Sequence, residues 1–228
     1  MTRAAFDREL ERLQDHVLAL GNMVEKAIVG AVDTLKRRDC EAARNLMAAD
    51  KNINQLRYAI ESDALVLIAT QQPMAGDLRM VAAVLEIAGE LERMGDYAKG
   101  IAKITVKMGT EPFVKPLVDI PRMAEKACDM LHRALEAFVR RDVELARAIP
   151  AEDDEVDGLL DQVHRELMTY IIADPRLMQR ATYLMWVAHR LERTADRVVN
   201  ICERVIFTVT GELVELDVKE ENGPFCPK

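Results

Sequence analysis

Apolar residues recur at intervals of three and four positions along most of the chain, which is the spacing of one buried face of an α-helix. In the first stretch the series includes Leu10, Val17, Val24, Ile28 and Leu35. The same periodicity continues, with short interruptions, to about residue 209. We therefore predict six long amphipathic helices, at about 4–35, 40–69, 77–108, 121–140, from the turn at 140–142 to 172, and 175–209.

Two hexapeptides indicate that the chain contains an internal repeat. Leu-Glu-Arg-Met-Gly-Asp at 91–96 and Leu-Glu-Arg-Thr-Ala-Asp at 191–196 are 100 residues apart. Arg-Arg-Asp at 37–39 and at 140–142 are 103 residues apart, so one loop of the second copy is three residues shorter. A length change confined to a loop is typical of duplicated units. We predict an all-α fold of two tandem, homologous three-helix bundles.

Prolines and glycines mark the predicted boundaries. The densest group lies at 109–116, and we place the division between the repeats there. The prediction is a first repeat at 1–112, a second at 113–211 and a flexible C-terminal tail at 212–228. Asp39 and Asp77 precede helices and are expected to cap them, while Gly211 is expected to end the last one.

Composition supports helices and narrows the function. Half of the residues are hydrophobic but only 4% are aromatic, a balance that favours helices over strands. The net charge of −8 disfavours binding to nucleic acid. The four cysteines form no Cys-x-x-Cys pair, and we find neither a secretory signal nor a transmembrane run. We expect a cytoplasmic protein that reaches the membrane only through partners.

The repeated hexapeptide contains the first candidate site residues. Glu92 and Asp96 are one helical turn apart, as are Glu192 and Asp196, and like charges at this spacing repel each other. Each glutamate also falls within the apolar stripe of its predicted helix, where an uncompensated carboxylate is costly. A bound cation or a basic partner would compensate this charge, and a solvated polar face is the alternative.

A second pair of acidic positions recurs at the 103-residue offset. Asp50 and Asn54 correspond to Asp153 and Asp157, again one turn apart. In each pair the first residue lies at the border of the apolar face and the second lies farther out. Oxygen ligands of this kind suit cations such as Mg²⁺, Mn²⁺ or iron better than a thiolate-seeking ion, and we keep Zn²⁺ as a further candidate. The metal candidates are Glu92, Asp96, Glu192, Asp196, Asp153, Asp157 and Asp50.

Catalytic signatures are missing from the sequence. There is no Gly-x-Ser-x-Gly, no phosphate-binding glycine-rich loop and no His-Glu-x-x-His, and the four histidines are scattered. We therefore predict that the protein is not an enzyme. Two alternatives stay open: a metal-dependent hydrolase or redox enzyme that uses clustered carboxylates, and a helical scaffold without metal.

The segment Gln-Gln-Pro-Met-Ala-Gly-Asp-Leu-Arg at 71–79, followed by Glu-Arg-Met-Gly-Asp at 92–96, resembles the PhoU family of phosphate-specific transport accessory proteins. The resemblance covers about residues 4–209. It implies a PhoU-like pair of three-helix bundles, commonly a homodimer, acting as a negative regulator and not as an enzyme. The implied partners are the ATPase of the phosphate transporter and a sensor histidine kinase of the phosphate-starvation response.

The same resemblance implies metal binding at Glu/Asp-x-x-x-Asp motifs. The matching positions here are Glu92 with Asp96 and Glu192 with Asp196, and Asp153 with Asp157 also fits. The chain departs from the family pattern at Asn54, which leaves Asp50 with a neutral partner. The second repeat also has Ala-Asp-Pro-Arg-Leu at 173–177 in place of the Gln-Pro loop.

Overall fold

The computed structural model describes residues 3–216, and within that range its regular secondary structure is entirely helical. This confirms the all-α prediction and the six long helices. The helices are α1 (Arg3–Arg37), α2 (Cys40–Gln71), α3 (Gly76–Met108), α4 (Asp119–Arg140), α5 (Val143–Ala148), α6 (Asp153–Ala173) and α7 (Met178–Thr210), with 3₁₀ turns at Ile149–Glu152 and Pro175–Leu177.

The repeated Arg-Arg-Asp segments act as helix junctions. The carboxylate of Asp39 accepts a hydrogen bond from the Ala42 amide at 2.9 Å, which confirms the predicted cap of α2. Asp142 accepts one from the Leu145 amide at 3.0 Å in the same way. The arginines before them have φ of 57° and 55°, a left-handed conformation that turns the chain between helices. Both repeats therefore use a left-handed arginine followed by a capping aspartate at this junction.

Two other predicted ends had different outcomes. Gly211 has φ of 79° and ends α7, as predicted, because glycine adopts the left-handed region without steric cost. The predicted capping role of Asp77 was wrong, since α3 begins at Gly76 after Ala75. Asp77 lies in the first turn and forms an ion pair with Arg3 of α1 instead.

The predicted fifth helix is broken, contrary to the sequence prediction. The segment from 143 to 173 consists of α5, a 3₁₀ turn at Ile149–Glu152 and α6. Pro150 lies in that turn and lacks the N–H that a continuous α-helix needs. The second repeat is therefore not a simple copy of the first, in which α2 continues through 32 residues.

The seven helices form two bundles joined along a seam. Helices α1, α2 and α3 pack together, and α4, α6 and α7 pack together with the short α5 at their side. Helix α3 packs along α7, and α1 packs along α4. One continuous apolar core includes residues from all seven helices.

The two helices of the seam run antiparallel. Glu86 pairs with Arg204 at 2.9 Å, Glu90 pairs with Arg197 at 3.3 Å, and the Tyr97 hydroxyl accepts from Arg193 at 3.2 Å. Partners on α7 descend in number as those on α3 ascend. The α2–α3 and α6–α7 connections consequently lie at opposite ends of the molecule.

The predicted tail is described only at its beginning. The Leu216 amide donates to Glu203 Oε1 at 2.9 Å, and Val214 and Leu216 pack against the core. The rest of the predicted tail, 217–228, lies outside the described residues. None of the described helices combines the length and the apolar character that a membrane span requires.

Candidate functional site

The twin hexapeptides lie near the middle of α3 and α7, and Gly95 of the first one faces Ile53 of α2. Leu91 and Leu191 are fully buried, which fixes the inner side of both motifs. Glu92 and Glu192 are half-buried beside them, while Asp96 is exposed and Asp196 is half-buried. Each glutamate is thus at the margin of the core and not at its centre.

In the first repeat, Lys99 brings acidic residues of α2 and α3 together. Asp50 is only 5% exposed, and its Oδ2 accepts from Lys99 Nζ at 2.7 Å. The same ammonium lies 3.8 Å from Asp96 Oδ1. Asn54 Nδ2 also approaches Asp50 Oδ2, at 3.4 Å. We call Asp50, Asn54, Glu92, Asp96 and Lys99 the first cluster.

The electrostatic environment of Glu92 agrees with this arrangement. Burial raises the pKa of Glu92, and the nearby carboxylates of Asp96 and Asp50 raise it further. Arg57 and Arg93 oppose the shift without cancelling it. Glu92 is therefore a carboxylate under like-charge repulsion, as the sequence predicted for the Glu92 and Asp96 pair.

In the second repeat the equivalent acidic residues lie on α6 and α7, which pack against each other. Asp153 is 3% exposed and begins α6, and Asp157 is half-buried one turn later. Glu192 Oε2 lies 3.1 Å from His189 Nδ1. We call Asp153, Asp157, Glu192 and Asp196 the second cluster.

The sequence interpretation missed two neighbours of these carboxylates, Lys99 and His189. Both are three positions from a motif residue on the same helix, Lys99 from Asp96 and His189 from Glu192. That spacing places side chains on one helical face, so it was a usable signal. The link from Lys99 to Asp50 was not, because it joins two helices.

The repeat alignment exposes a chemical difference between the clusters. Lys99 corresponds to Val199, and Asn54 corresponds to Asp157. The first cluster therefore contains an ammonium and an amide where the second has an apolar side chain and a carboxylate. Within residues 3–216, no three histidine, cysteine, aspartate or glutamate side chains are arranged as they stand to hold a metal ion.

Cys128 and Cys202 are unreactive as thiolates. Burial raises the pKa of the Cys128 thiol to about 12, with a further rise from Glu25. Burial likewise raises the pKa of Cys202 to about 12. Both thiols stay protonated at neutral pH and pack as small apolar groups.

The repeats also differ on the outer surface next to the clusters. The first repeat has an open, mainly apolar cleft of about 280 Å³, which is lined in part by Met23, Ala49 and Gly95. The equivalents of Met23 and Ala49 are Lys126 and Glu152, which form an ion pair at 2.6 Å. An apolar cleft in one repeat is thus replaced by charged groups in the other.

Exposed apolar side chains occur at the α2–α3 and α6–α7 connections. Met74 and Leu78, at the α2–α3 connection, are 79% and 43% exposed. Ile172 and Met178, at the α6–α7 connection, are 78% and 56% exposed. Because α3 and α7 are antiparallel, these two surfaces lie far apart, and each is available for a protein contact.

Comparison with known sequences finds the same domain in both repeats. A family model described as the PhoU domain matches residues 17–105 and 120–205. The phosphate-specific transport system accessory protein PhoU homolog of Aquifex aeolicus strain VF5 is 38% identical over 216 residues, covering 95% of this chain and 98% of that protein. The PhoU accessory protein of Escherichia coli K12 is 33% identical over 207 residues, covering 91% of this chain and 86% of that protein.

Solved structures agree with these sequence matches. The crystal structure of PhoU from Pseudomonas aeruginosa has a TM-score of 0.86 and 34% identity, covering 91% of this chain and 100% of that one. The phosphate transport system regulatory protein PhoU from Streptococcus pneumoniae has the same TM-score of 0.86 and 32% identity, covering 92% of this chain and 100% of that one.

Proposed function

This chain belongs to the PhoU family, and we propose from that membership that it is a negative regulator of phosphate uptake and phosphate-starvation signalling. The single observation that carries the proposal is the tandem PhoU domain, which extends over both repeats. Relatives that align over most of their own length are phosphate-specific transport accessory proteins, so a role in regulating phosphate transport follows.

The mechanism that we propose is that of an adaptor in the cytoplasm. One partner would be the ATPase of the phosphate transporter, and the other a sensor histidine kinase. The protein would reach the membrane only through these partners and would act without catalysing a reaction or binding nucleic acid. Exposed apolar side chains at two distant ends, around Met74 and around Ile172, support an adaptor with two contact surfaces.

Deletion of the gene tests the regulatory proposal. Without the adaptor, phosphate-starvation genes should stay active in phosphate-rich medium, and the full-length wild-type gene should restore repression. The measurement is the expression of a starvation-induced reporter in both strains. Normal repression in the deletion strain would contradict the proposal.

Two charge substitutions test the adaptor mechanism separately. We expect Met74→Glu and Ile172→Glu each to weaken recovery of one membrane partner by about tenfold, because a charge would have to be buried in an apolar contact. Val29→Glu, on an exposed apolar position in α1, is the matched control. Unchanged recovery of both partners by both end variants would rule out these surfaces.

We also propose that the protein binds a metal ion, and the side chains of the two clusters differ in how well they suit one. The second cluster offers four carboxylates, donors that suit Mg²⁺, Mn²⁺, iron or Zn²⁺. A cation held there would link α6 to α7 and add order to the second repeat. In the first cluster, the expected ligands Asp50, Glu92 and Asp96 are accompanied by Lys99 and Asn54, which fit a metal ion poorly.

We further propose that the protein acts as a homodimer. The family resemblance supplies this expectation, and the acidic surface does not prevent it, since homodimer contacts are formed by local apolar patches. Analytical ultracentrifugation of the full chain at micromolar concentration should give the mass of two copies, twice 25.7 kDa. A sedimenting species of one copy at that concentration would contradict the proposal.

A further inference from the structure

We propose that Lys99 is a built-in cation of the first cluster, so that this cluster joins α2 to α3 without a metal ion. The inference narrows the metal-binding part of the proposed function, because it removes one of the two clusters from the metal sites. It concerns residues of the first repeat alone, and it holds whether or not the second cluster binds metal.

The Lys99 ammonium lies beside acidic residues of two helices. Lys99 Nζ lies 2.7 Å from Asp50 Oδ2 and 3.8 Å from Asp96 Oδ1, between a carboxylate of α2 and one of α3. A cation that bridged these two carboxylate oxygens would compete with the ammonium for the space between them. The distance to Asp50 is that of a charge-assisted hydrogen bond.

Burial makes the Asp50 contact the dominant one. The Asp50 side chain is 5% exposed, whereas Lys99 is 39% exposed and Asp96 is 52% exposed. A buried carboxylate without a cation is unfavourable, so Asp50 gains most from Lys99. The partly exposed lysine keeps part of its hydration and bears little desolvation cost. The hydrogen bond to Asp50 and the nearby carboxylates raise the pKa of Lys99, which keeps it charged.

The other members of the first cluster also disfavour a metal ion. Asn54 supplies a neutral amide, and its Nδ2 points toward Asp50 Oδ2 at 3.4 Å. A metal ion bound by Asp50 and Asp96 would have to displace Lys99 or lie next to it. At a separation of about 4 Å, the repulsion between such charges is substantial even at intermediate dielectric.

The second repeat provides an internal comparison. Its four carboxylates have no lysine in the position of Lys99, because Val199 is there and is 2% exposed. Asp157 replaces Asn54. At these two equivalent positions, the first cluster has an ammonium and an amide, and the second has an apolar side chain and a carboxylate. Both differences between the repeats weaken cation binding by the first cluster relative to the second.

Bound Mn²⁺ in the full-length protein tests the inference. Equilibrium dialysis against Mn²⁺, followed by elemental analysis, gives the number of ions per chain. We expect Glu92→Gln/Asp96→Asn to bind as much Mn²⁺ as the wild type. We expect Lys99→Val/Asn54→Asp, which introduces the residues of the second repeat, to bind about one additional ion per chain. Asp157→Asn is the matched substitution in the second cluster.

The outcomes separate this inference from the metal-binding proposal. Less Mn²⁺ bound by Glu92→Gln/Asp96→Asn than by the wild type would overturn the built-in cation. A folded Lys99→Val/Asn54→Asp variant without additional Mn²⁺ would also overturn it. If neither Asp157→Asn nor Glu192→Gln changes the bound Mn²⁺, metal binding by the second cluster fails, while the additional ion in the first-cluster variant still supports Lys99.

Thermal stability gives a second measurement that needs no added metal. In the presence of EDTA, Lys99→Met should lower the Tm by a few degrees, because Asp50 loses its buried ion-pair partner. Lys103→Met, at an exposed position one turn along α3, is the control and should leave the Tm unchanged. Equal Tm values for Lys99→Met and the wild type in EDTA would overturn the inference.

Discussion

At the scale of single residues, the two repeats differ in the sizes of the side chains at one pair of equivalent positions. Gly95 faces Ile53, and a Cβ on this glycine would lie 3.1 Å from Ile53 Cδ1. The equivalent pair in the second repeat is Ala195 with Val156. The smaller residue on α3 thus faces a larger one on α2. At the equivalent positions, the α7 residue is one carbon larger and the α6 residue is one carbon smaller. The packing explains why the two motifs differ at their fifth position.

This contact predicts a coupling between two substitutions. The change in the free energy of unfolding caused by Gly95→Ala should be more favourable in the Ile53→Val background than in the wild type, by about 0.5–1 kcal/mol. The reason is that valine lacks the Cδ1 atom that crowds the new methyl group. Urea unfolding of the four proteins of the double-mutant cycle measures the coupling.

Gly89→Ala provides the control for this cycle. Gly89 lies on the same helix and has open space where a Cβ would be. Its substitution should gain helix propensity equally in both backgrounds. Additive effects of Gly95→Ala and Ile53→Val would contradict the proposed packing.

At the scale of elements, the break before α6 is held by charged side chains from α4. Glu152, the last residue of the 3₁₀ turn, accepts from Arg133 at 2.6 Å and from Lys126 at 2.6 Å. Burial alone would raise the pKa of Glu152, but these two bonds outweigh it and lower the pKa. The turn created by Pro150 is thereby fixed to the neighbouring helix.

Glu152→Gln should destabilise the protein by about 1 kcal/mol at pH 7, since these partly exposed ion pairs are screened by solvent. A carboxylate with a lowered pKa contributes stability above its unfolded-state pKa, near 4.5, and loses it as the pH falls through the folded-state pKa. The difference between variant and wild type should therefore disappear in acid. Urea unfolding between pH 3 and pH 7 measures both effects.

Glu155→Gln is the control for this prediction, because it removes a carboxylate that contacts the same lysine from a more exposed position. Glu155 also contacts Lys126, at 3.0 Å, but is 67% exposed. Its substitution should cost only a few tenths of a kcal/mol. An equal loss in both variants, or a loss that persists in acid, would show that the ion pairs do not fix the turn.

At the scale of the whole molecule, the antiparallel seam predicts that the two repeats unfold as one unit. The seam buries apolar residues of α3 and α7 in the same core that includes α1 and α4. Glu90 lies across it, accepting from Arg197 and from Asn200 at 3.3 Å each. Unfolding of one repeat would expose the core surface of the other and break these pairs. The remaining repeat would therefore be less stable by itself.

Cooperative unfolding follows from this arrangement. Trp186 is the only tryptophan and lies in α7, so its fluorescence reports on the second repeat, whereas circular dichroism reports on all helices. The two urea transitions should coincide. Ile60→Ala, at a fully buried position of the first repeat, should lower the free energy of unfolding by about 2–5 kcal/mol. The urea midpoint measured by tryptophan fluorescence should therefore fall as well. A tryptophan midpoint unaffected by this substitution would indicate independent repeats.

The sequence by itself determined the helices, the duplication, several junctions and the family. These properties depend on local or periodic signals: apolar spacing, the Asp39 cap, the left-handed Gly211 and the repeated motif strings. Pro150 was also a local signal, but the apolar periodicity on both sides of it favoured one continuous helix. The sequence also identified the acidic motif residues and the repulsion at Glu92.

Only the tertiary structure decided which groups compensate those acids. The Asp50 and Lys99 contact joins α2 to α3, and the Glu90 and Arg197 contact joins α3 to α7. Residues 49 and 107 positions apart in the chain meet only because the helices cross at particular levels and directions. Helical periodicity fixes the face of a residue, but packing of whole helices fixes what that face meets. For this reason the sequence located the acidic residues, and the fold revealed that Lys99 lies among those of the first cluster.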